Sequence, residues 1–215
     1  MTTSQWPEAQ AILNFWFDDP AAPDSEYGQQ RQIWFRKDPD FDQQVRDRFL
    51  PLYEQARRGE CDRWLAEPSA TLALTILLDQ FPRNMFRGTA RCLEADDQAL
   101  ATAETAIARH YDQALLPVER VFFYLPFEHS ENIEHQEQAV SLFETLVQVA
   151  PELQSTLDYA YRHRDVIAQF GRFPIAMRAW AALQPPPKVN FSNSPALAFS
   201  SAWSTKKVDN WWVID

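Results

Sequence analysis

The sequence predicts an all-α chain of about eight helices packed as antiparallel pairs, with no sheet. Three observations carry that reading. Only 4 of the 215 residues are Gly, whereas the strong helix formers Ala, Leu, Gln, Glu and Arg are abundant. The 15 Pro fall mostly where helices would start and stop. Apolar residues recur at i, i+3, i+4 spacing, and no strand-like alternation of useful length occurs. A chain of this length can bury roughly 70% of its unfolded surface, so one domain is expected over residues 1–174, with an atypical tail over 175–215. No internal repeat of about 34 residues is visible.

Each element has a local reason. Pro7 suits the first position of a helix whose apolar face is Ala11, Ile12, Phe15 and Trp16, and Pro20 and Pro23 stop it. A short amphipathic piece ends at Trp34 and Phe35. Asp38 caps and Pro39 opens a helix carrying Phe41, Val45, Phe49, Leu52 and Tyr53, which closes at Gly59. Trp64 and Leu65 form a brief turn. Ser69 is expected to cap the central segment, where Leu74, Leu77 and Leu78 make a core-facing stripe; Pro82 is expected to end or kink it near Phe81. Asp96 to Tyr111 reads as a helix. Pro117 opens another, over Val118 to Phe127, interrupted by Pro126. Ser130 is expected to cap a helix that turns Ile133, Val140, Phe143, Leu146 and Val147 inward, and Pro151 starts the last, ending at Gly171. Trp16, Trp34, Leu74, Leu77, Phe81, Phe122, Phe123, Phe143 and Phe170 are the expected core.

Composition narrows the function. A net charge of −10 speaks against nucleic acid and anionic membrane surfaces as partners. The N-terminus has neither a basic region nor an apolar one, and no apolar run approaches the ~18 residues of a membrane span, so a cytoplasmic protein is expected. Cys61 and Cys92 lack metal-type spacing and read as reduced packing residues. No phosphate loop, dinucleotide fingerprint or nucleophile elbow occurs, so no cofactor is expected. No metal is expected either, because His129, Glu134 and His135 read H-x4-E-H where a zinc helix would read H-x-x-E-H. The kinase-like triplet His163-Arg164-Asp165 has none of its companion motifs.

Three polar islands interrupt the amphipathic helices, each beside aromatic residues. They are Asp79, Gln80, Arg83, Asn84 and Arg87; then Glu128, His129, Ser130, Glu131, His135 and Gln136; then His163, Arg164, Asp165 and Arg172. Asp79, Arg83 and Arg87 recur every four residues and would share a helix face. Paired guanidinium forks and imidazoles bind carboxylate or phosphate. The expected ligand site is therefore Asp79, Gln80, Arg83, Asn84, Arg87, His129, Ser130, Glu131, His163 and Arg172, holding a small anion. Asp79, Arg83, His129, Glu131 and His163 would converge, with Arg87 and Arg172 at the rim. Were chemistry to occur, His129 or His163 would be the general acid–base, with Glu131 a further candidate. The same residues also fit plainer roles: Asp79–Arg83 as a helix ion pair, Ser130 and Glu131 as a cap and first-turn acid, Glu131–His135 as a surface pair.

Ile12 to Phe17 (ILNFWF), Trp34-Phe35, Leu77 to Thr89 (LLDQFPRNMFRGT), Tyr124 to Gln136 (YLPFEHSENIEHQ) and His163 to Pro174 (HRDVIAQFGRFP) resemble one family in order and separation. It is the bacterial family catalogued as domain of unknown function 924, and the resemblance covers about residues 5 to 174. It implies an irregular tetratricopeptide-like superhelix and a polar site drawn from the three islands. It implies no established reaction. Such helical arrays often hold a partner's peptide or terminal carboxylate in a groove, so an interaction scaffold is the competing expectation and a His-dependent hydrolase a third.

The resemblance breaks after Pro174, where the family continues with H-R-N and ends near F-L-x-x-P-G-S-S-F. This chain reads IAMRAWAALQPPPK. Ile175 to Trp180 can be written ATC GCA ATG CGC GCC TGG; one C restored in front gives H-R-N-A-R-L. The same shift makes Phe191 to Phe199 compatible with the family's terminal motif. A single-nucleotide deletion after Pro174 is therefore expected, with a poorly packed tail exposing Trp203, Trp211 and Trp212. Resequencing the gene decides it; an intact frame through codon 175 would dismiss the deletion.

Overall fold

Seven α-helices and five short 3-10 turns account for the regular structure of residues 5–173, the residues that the computed structural model describes, and no strand occurs among them. The expectations placed on the tail lie outside the described residues. The helices are α1 (Pro7–Phe17), α2 (Pro39–Arg57), α3 (Pro68–Met85), α4 (Asp96–Ala108), α5 (Pro117–His129), α6 (Ile133–Val149) and α7 (Gln154–Phe170). From α2 onward every helix packs on the next, and α3 also touches α1 and α5, which makes it the central rod.

Local chemistry sets most boundaries. Pro stands at the first helical position of α1, α2, α3 and α5, where its missing N–H costs nothing. The Asp38 side chain accepts from Asp40 N and Phe41 N at the start of α2. Glu119 accepts the Leu116 N–H at the mouth of α5 and also the Tyr27 hydroxyl, tying a distant loop to that helix. Gly171, at φ 69°, takes the left-handed conformation that ends α7.

Several expectations are corrected. Pro82 and Pro126 do not break their helices; both lie inside, in α3 and α5. An internal Pro costs about 3 kcal/mol, but from Ala70 to Met85 every residue of α3 except Arg83 is buried. Packing on four other helices outweighs the lost hydrogen bond. Ser69 is not the cap of α3, since Pro68 already begins the helix. Ser130 is not the cap of α6; the Asn132 side chain accepts from Glu134 N in that role. The helix expected from Asp96 to Tyr111 ends at Ala108, and Pro151 opens a 3-10 turn before α7. Ile133, the first residue of α6, is 40% exposed rather than turned inward. Phe170 is 60% exposed. The turn at Gly171 sends Phe173 inward instead, onto Val166 and Ile167.

The rest of the expected core is buried. Trp16 is the hub of an aromatic cluster, with Trp34, Phe41, Phe81 and Phe122 rings all within 6.1 Å of its centroid. This cluster locks α1, α2, α3 and α5 together and fixes where the polar halves of α3 and α5 end up.

Candidate functional site

The polar end of α3 meets the last turn of α5. Asp79 is 1% exposed, and its carboxylate is saturated: His129 Nδ1 donates to Oδ1 at 2.7 Å, Arg83 Nη1 lies 3.1 Å from the same oxygen, and Gln80 Nε2 donates to Oδ2 at 2.6 Å. Arg83 extends the chain of charge. Its Nη1 and Nη2 donate to both carboxylate oxygens of Asp96, at 2.9 and 3.1 Å, and Nη1 also reaches the Asp79 carbonyl at 2.7 Å. The result is a continuous line, Asp96–Arg83–Asp79–His129, across α4, α3 and α5. Because an ionised carboxylate only accepts, the proton of a neutral His129 is on Nδ1, and Nε2 carries the lone pair.

Local structure holds His129 in place. It is the last residue of α5, where the helix dipole favours positive charge. Gln136, fully buried on α6, donates through Nε2 to the Glu128 and Ser130 carbonyls at 2.6 Å each, so it satisfies two of the open carbonyls at that helix end.

A cavity of about 260 Å³ opens beside this line, walled by Arg83, Asp96, Asp97, His129, Ser130 and Glu131 on its polar sides and by Leu93, Leu100, Pro126 and Phe173 on the others. Of the expected site residues, Arg83, His129, Ser130 and Glu131 stand in its wall. Asp79 and Gln80 lie behind His129 and Arg83 as their supports. Asn84 and Arg87 turn elsewhere: Asn84 Nδ2 and the Arg87 fork all donate to Asp42 on α2, at 2.8 to 2.9 Å. Arg172 is exposed and Arg87 is clamped to α2, so neither stands in the wall where a rim was expected. Glu131 does not pair with His135. It accepts from Phe173 N at 2.8 Å, while His135 contacts Ser130 Oγ at 2.8 Å and lies 3.7 Å from Glu104.

His163 forms a second buried pair. Its Nδ1 faces Glu128 Oε1 at 2.8 Å and the Tyr159 carbonyl at 3.0 Å. Glu128 precedes His129 on α5, so the two pairs are chain neighbours. The residues that the sequence reading missed are Asp96, Asp97 and Phe173 in the wall, and Glu128 as the partner of His163. Asp96 and Asp97 have the look of ordinary first-turn acids of α4, and nothing local ties them to Arg83.

The charges perturb one another. For Asp79, burial pushes the carboxyl up, but Arg83 and His129 together hold it below its usual value of 3.8. For Asp96, burial raises the carboxyl and outweighs Arg83. For His163, burial opposes the charged form, yet Glu128 prevails and the imidazole is raised above 6.5. A base raised on folding stabilises the fold fully below its unfolded pKa, and that contribution disappears as pH rises through the folded value. The wild-type chain is therefore expected to lose stability as pH rises above 6.5 and through the raised folded value of His163. Urea unfolding of His163→Gln over the same interval should lack that component. Identical pH slopes for the two proteins would discard the assignment.

Among the described residues, no three His, Cys, Asp or Glu side chains converge as a metal-binding group, and no helix is long and apolar enough to cross a membrane. The profile of the family described as "Bacterial protein of unknown function (DUF924)" matches residues 12–179. A solved structure of a protein of unknown function from Agrobacterium tumefaciens is 40% identical, with a TM-score of 0.71, over 86% of this chain and 95% of that one. No curated protein matches the chain.

Proposed function

The chain belongs to this bacterial family of unknown function, and from that premise we propose that the cavity between α3, α4 and α5 binds a small polar molecule and that His129 exchanges a proton with it. The observation that carries this reading is the buried Asp79–His129 pair at 2.7 Å, with His129 in the cavity wall. A fixed carboxylate orients the imidazole and stabilises the imidazolium that forms when Nε2 takes a proton, the arrangement used in general acid–base catalysis. Arg83 and Asp96 add a charged flank whose geometry is already set before any ligand arrives.

The charge balance bears on the ligand. The sequence pointed to an anion, a carboxylate or phosphate, held by paired Arg forks. Arg83, however, faces the carboxylates of Asp79 and Asp96, and Arg87 faces Asp42. The wall adds Asp97 and Glu131. An anion about 5 Å from one such carboxylate is repelled by roughly 3 kcal/mol at an effective dielectric of about 20. A hydroxyl- or amine-bearing molecule meets no such penalty. The same pairings disfavour a scaffold that would present Arg to a peptide carboxylate. Contacts between each helix and the next from α2 onward support the tetratricopeptide-like arrangement without requiring that use of it.

A thermal-shift screen of hydroxy and amino compounds beside acetate and phosphate tests the reading. A binder present at 100 times its Kd adds roughly 2.7 kcal/mol of stability. Hydroxy or amino compounds should raise the melting temperature of the wild type and lose that effect in His129→Gln. Stabilisation that persists in the variant would remove His129 from the site. Stabilisation by acetate or phosphate alone would restore the anion.

A further inference from the structure

We infer that the cavity continues behind Phe173 into a second compartment, where Glu128 receives a hydrogen-bond donor of the bound molecule, a hydroxyl or protonated amine. This rests on the reading of the cavity as a ligand site and goes beyond it by naming the group recognised and the residue that recognises it.

Three independent observations meet at this place. Glu128 is 3% exposed, and while Oε1 takes His163, Oε2 is buried with no hydrogen-bond partner among the described residues. Buried carboxylate oxygens are nearly always satisfied, and one left open is a vacancy for a donor. Second, Phe173 touches both sides. It forms part of the cavity wall, and its ring meets the His163 ring edge-on at 5.3 Å between centroids. Third, Phe173 lies at a turn of the chain, its ring resting on Val166 and Ile167. Its N–H donates to Glu131, an exposed side chain, and it stands two residues beyond the left-handed turn at Gly171.

The two His–carboxylate pairs thus flank one aromatic partition, with Glu128 and His129 adjacent on the same helix turn. Gln136 fixes the backbone of Glu128 through its carbonyl, and the pairing of Oε1 with His163 keeps the carboxylate inside. A ligand whose one end meets His129 and whose donor end displaces the Phe173 ring would complete Glu128. A hydroxyl or ammonium fits that place; a carboxylate or phosphate would face Glu128 with like charge.

Nuclear magnetic resonance of the histidine ring protons reads both compartments at once, since the chain holds 4 His, each assignable by single substitution. The probe is ethanolamine, which carries both groups, titrated into the full chain near neutral pH. The His129 and His163 signals should shift together with one midpoint. In Glu128→Gln the His163 response should vanish while that of His129 persists. In Phe173→Ala the His163 response should appear at a several-fold lower probe concentration. A His129 response with none at His163, in the wild type and in Phe173→Ala alike, would overturn the second compartment and leave the cavity reading intact. Silence at both histidines would remove the cavity reading, and this inference with it. Phe173→Leu, which keeps an apolar wall, serves the same comparison should the Ala variant not fold.

Discussion

Replacing Asp79 by Ala is expected to cost about 3–5 kcal/mol of folding stability, the range seen when one member of a buried ion pair is removed. The reason is the number of groups that each lose a partner. Asp79 accepts from His129 Nδ1 and Gln80 Nε2 and neutralises Arg83, all at a position 1% exposed. Without it Arg83 keeps only Asp96 of the two carboxylates that it bridges, and His129 and Gln80 each lose an acceptor. Asp79→Asn should cost less, because the amide oxygen can still accept from His129 while the charge is lost. Urea unfolding of the three proteins at neutral pH measures both. Should Asp79→Ala lie within about 1 kcal/mol of wild type, the pair would be no more than a surface-grade contact and the proposed orientation of His129 would lose its support. The acid limb gives a second readout: Asp79 contributes stability above pH 3.8, lost as pH falls through its lowered folded value.

The sequence shows the helices and the poles of the site far better than it shows the pairing. Helix-period apolar residues and Pro at first positions are local signals, so α1, α2, α3 and α5 start where Pro7, Pro39, Pro68 and Pro117 stand. Tolerance of Pro82 and Pro126 is not local, because it depends on how many neighbours bury α3 and α5. The four-residue spacing of Asp79, Arg83 and Arg87 misleads for a geometric reason. The α-helix ends at Met85 with Phe86 as its cap, so Arg87 lies beyond the helix and no longer shares a face with Asp79. Leaving the helix hands Arg87 to Asp42 on α2. Asp79–His129 spans 50 positions; only the clustering of polar residues on separate helices hinted at it. Arg83–Asp96 gave no hint, because a first-turn acid is explained by its own helix. Glu128 was legible as one letter of a polar run, but its partner His163 follows only from the packing of α5 on α7.

Trp16→Ala and Trp16→Phe should separate sharply, the first costing about 3–5 kcal/mol and the second under about 1.5 kcal/mol. Trp16 is fully buried, and its ring meets Trp34, Phe41, Phe81 and Phe122 at centroid distances of 6.1, 5.9, 5.6 and 5.6 Å. Truncation to Ala empties the junction of α1, α2, α3 and α5, and so large a void cannot collapse among rings that are each wedged by others. Phenylalanine keeps most of these ring contacts. It also removes the indole N–H, which is buried with no hydrogen-bond partner among the described residues, so part of the lost packing is returned as relief from an unsatisfied donor of about 1–3 kcal/mol. The backbone role of the position is untouched in both variants, since the Trp16 carbonyl still accepts from Trp34 Nε1 at 2.7 Å and Arg31 Nη1 at 2.8 Å. Urea midpoints with unchanged slopes would report stability alone. Equal losses for Ala and Phe would mean that the indole nitrogen finds a partner in solution and that the junction is held by that bond more than by ring packing.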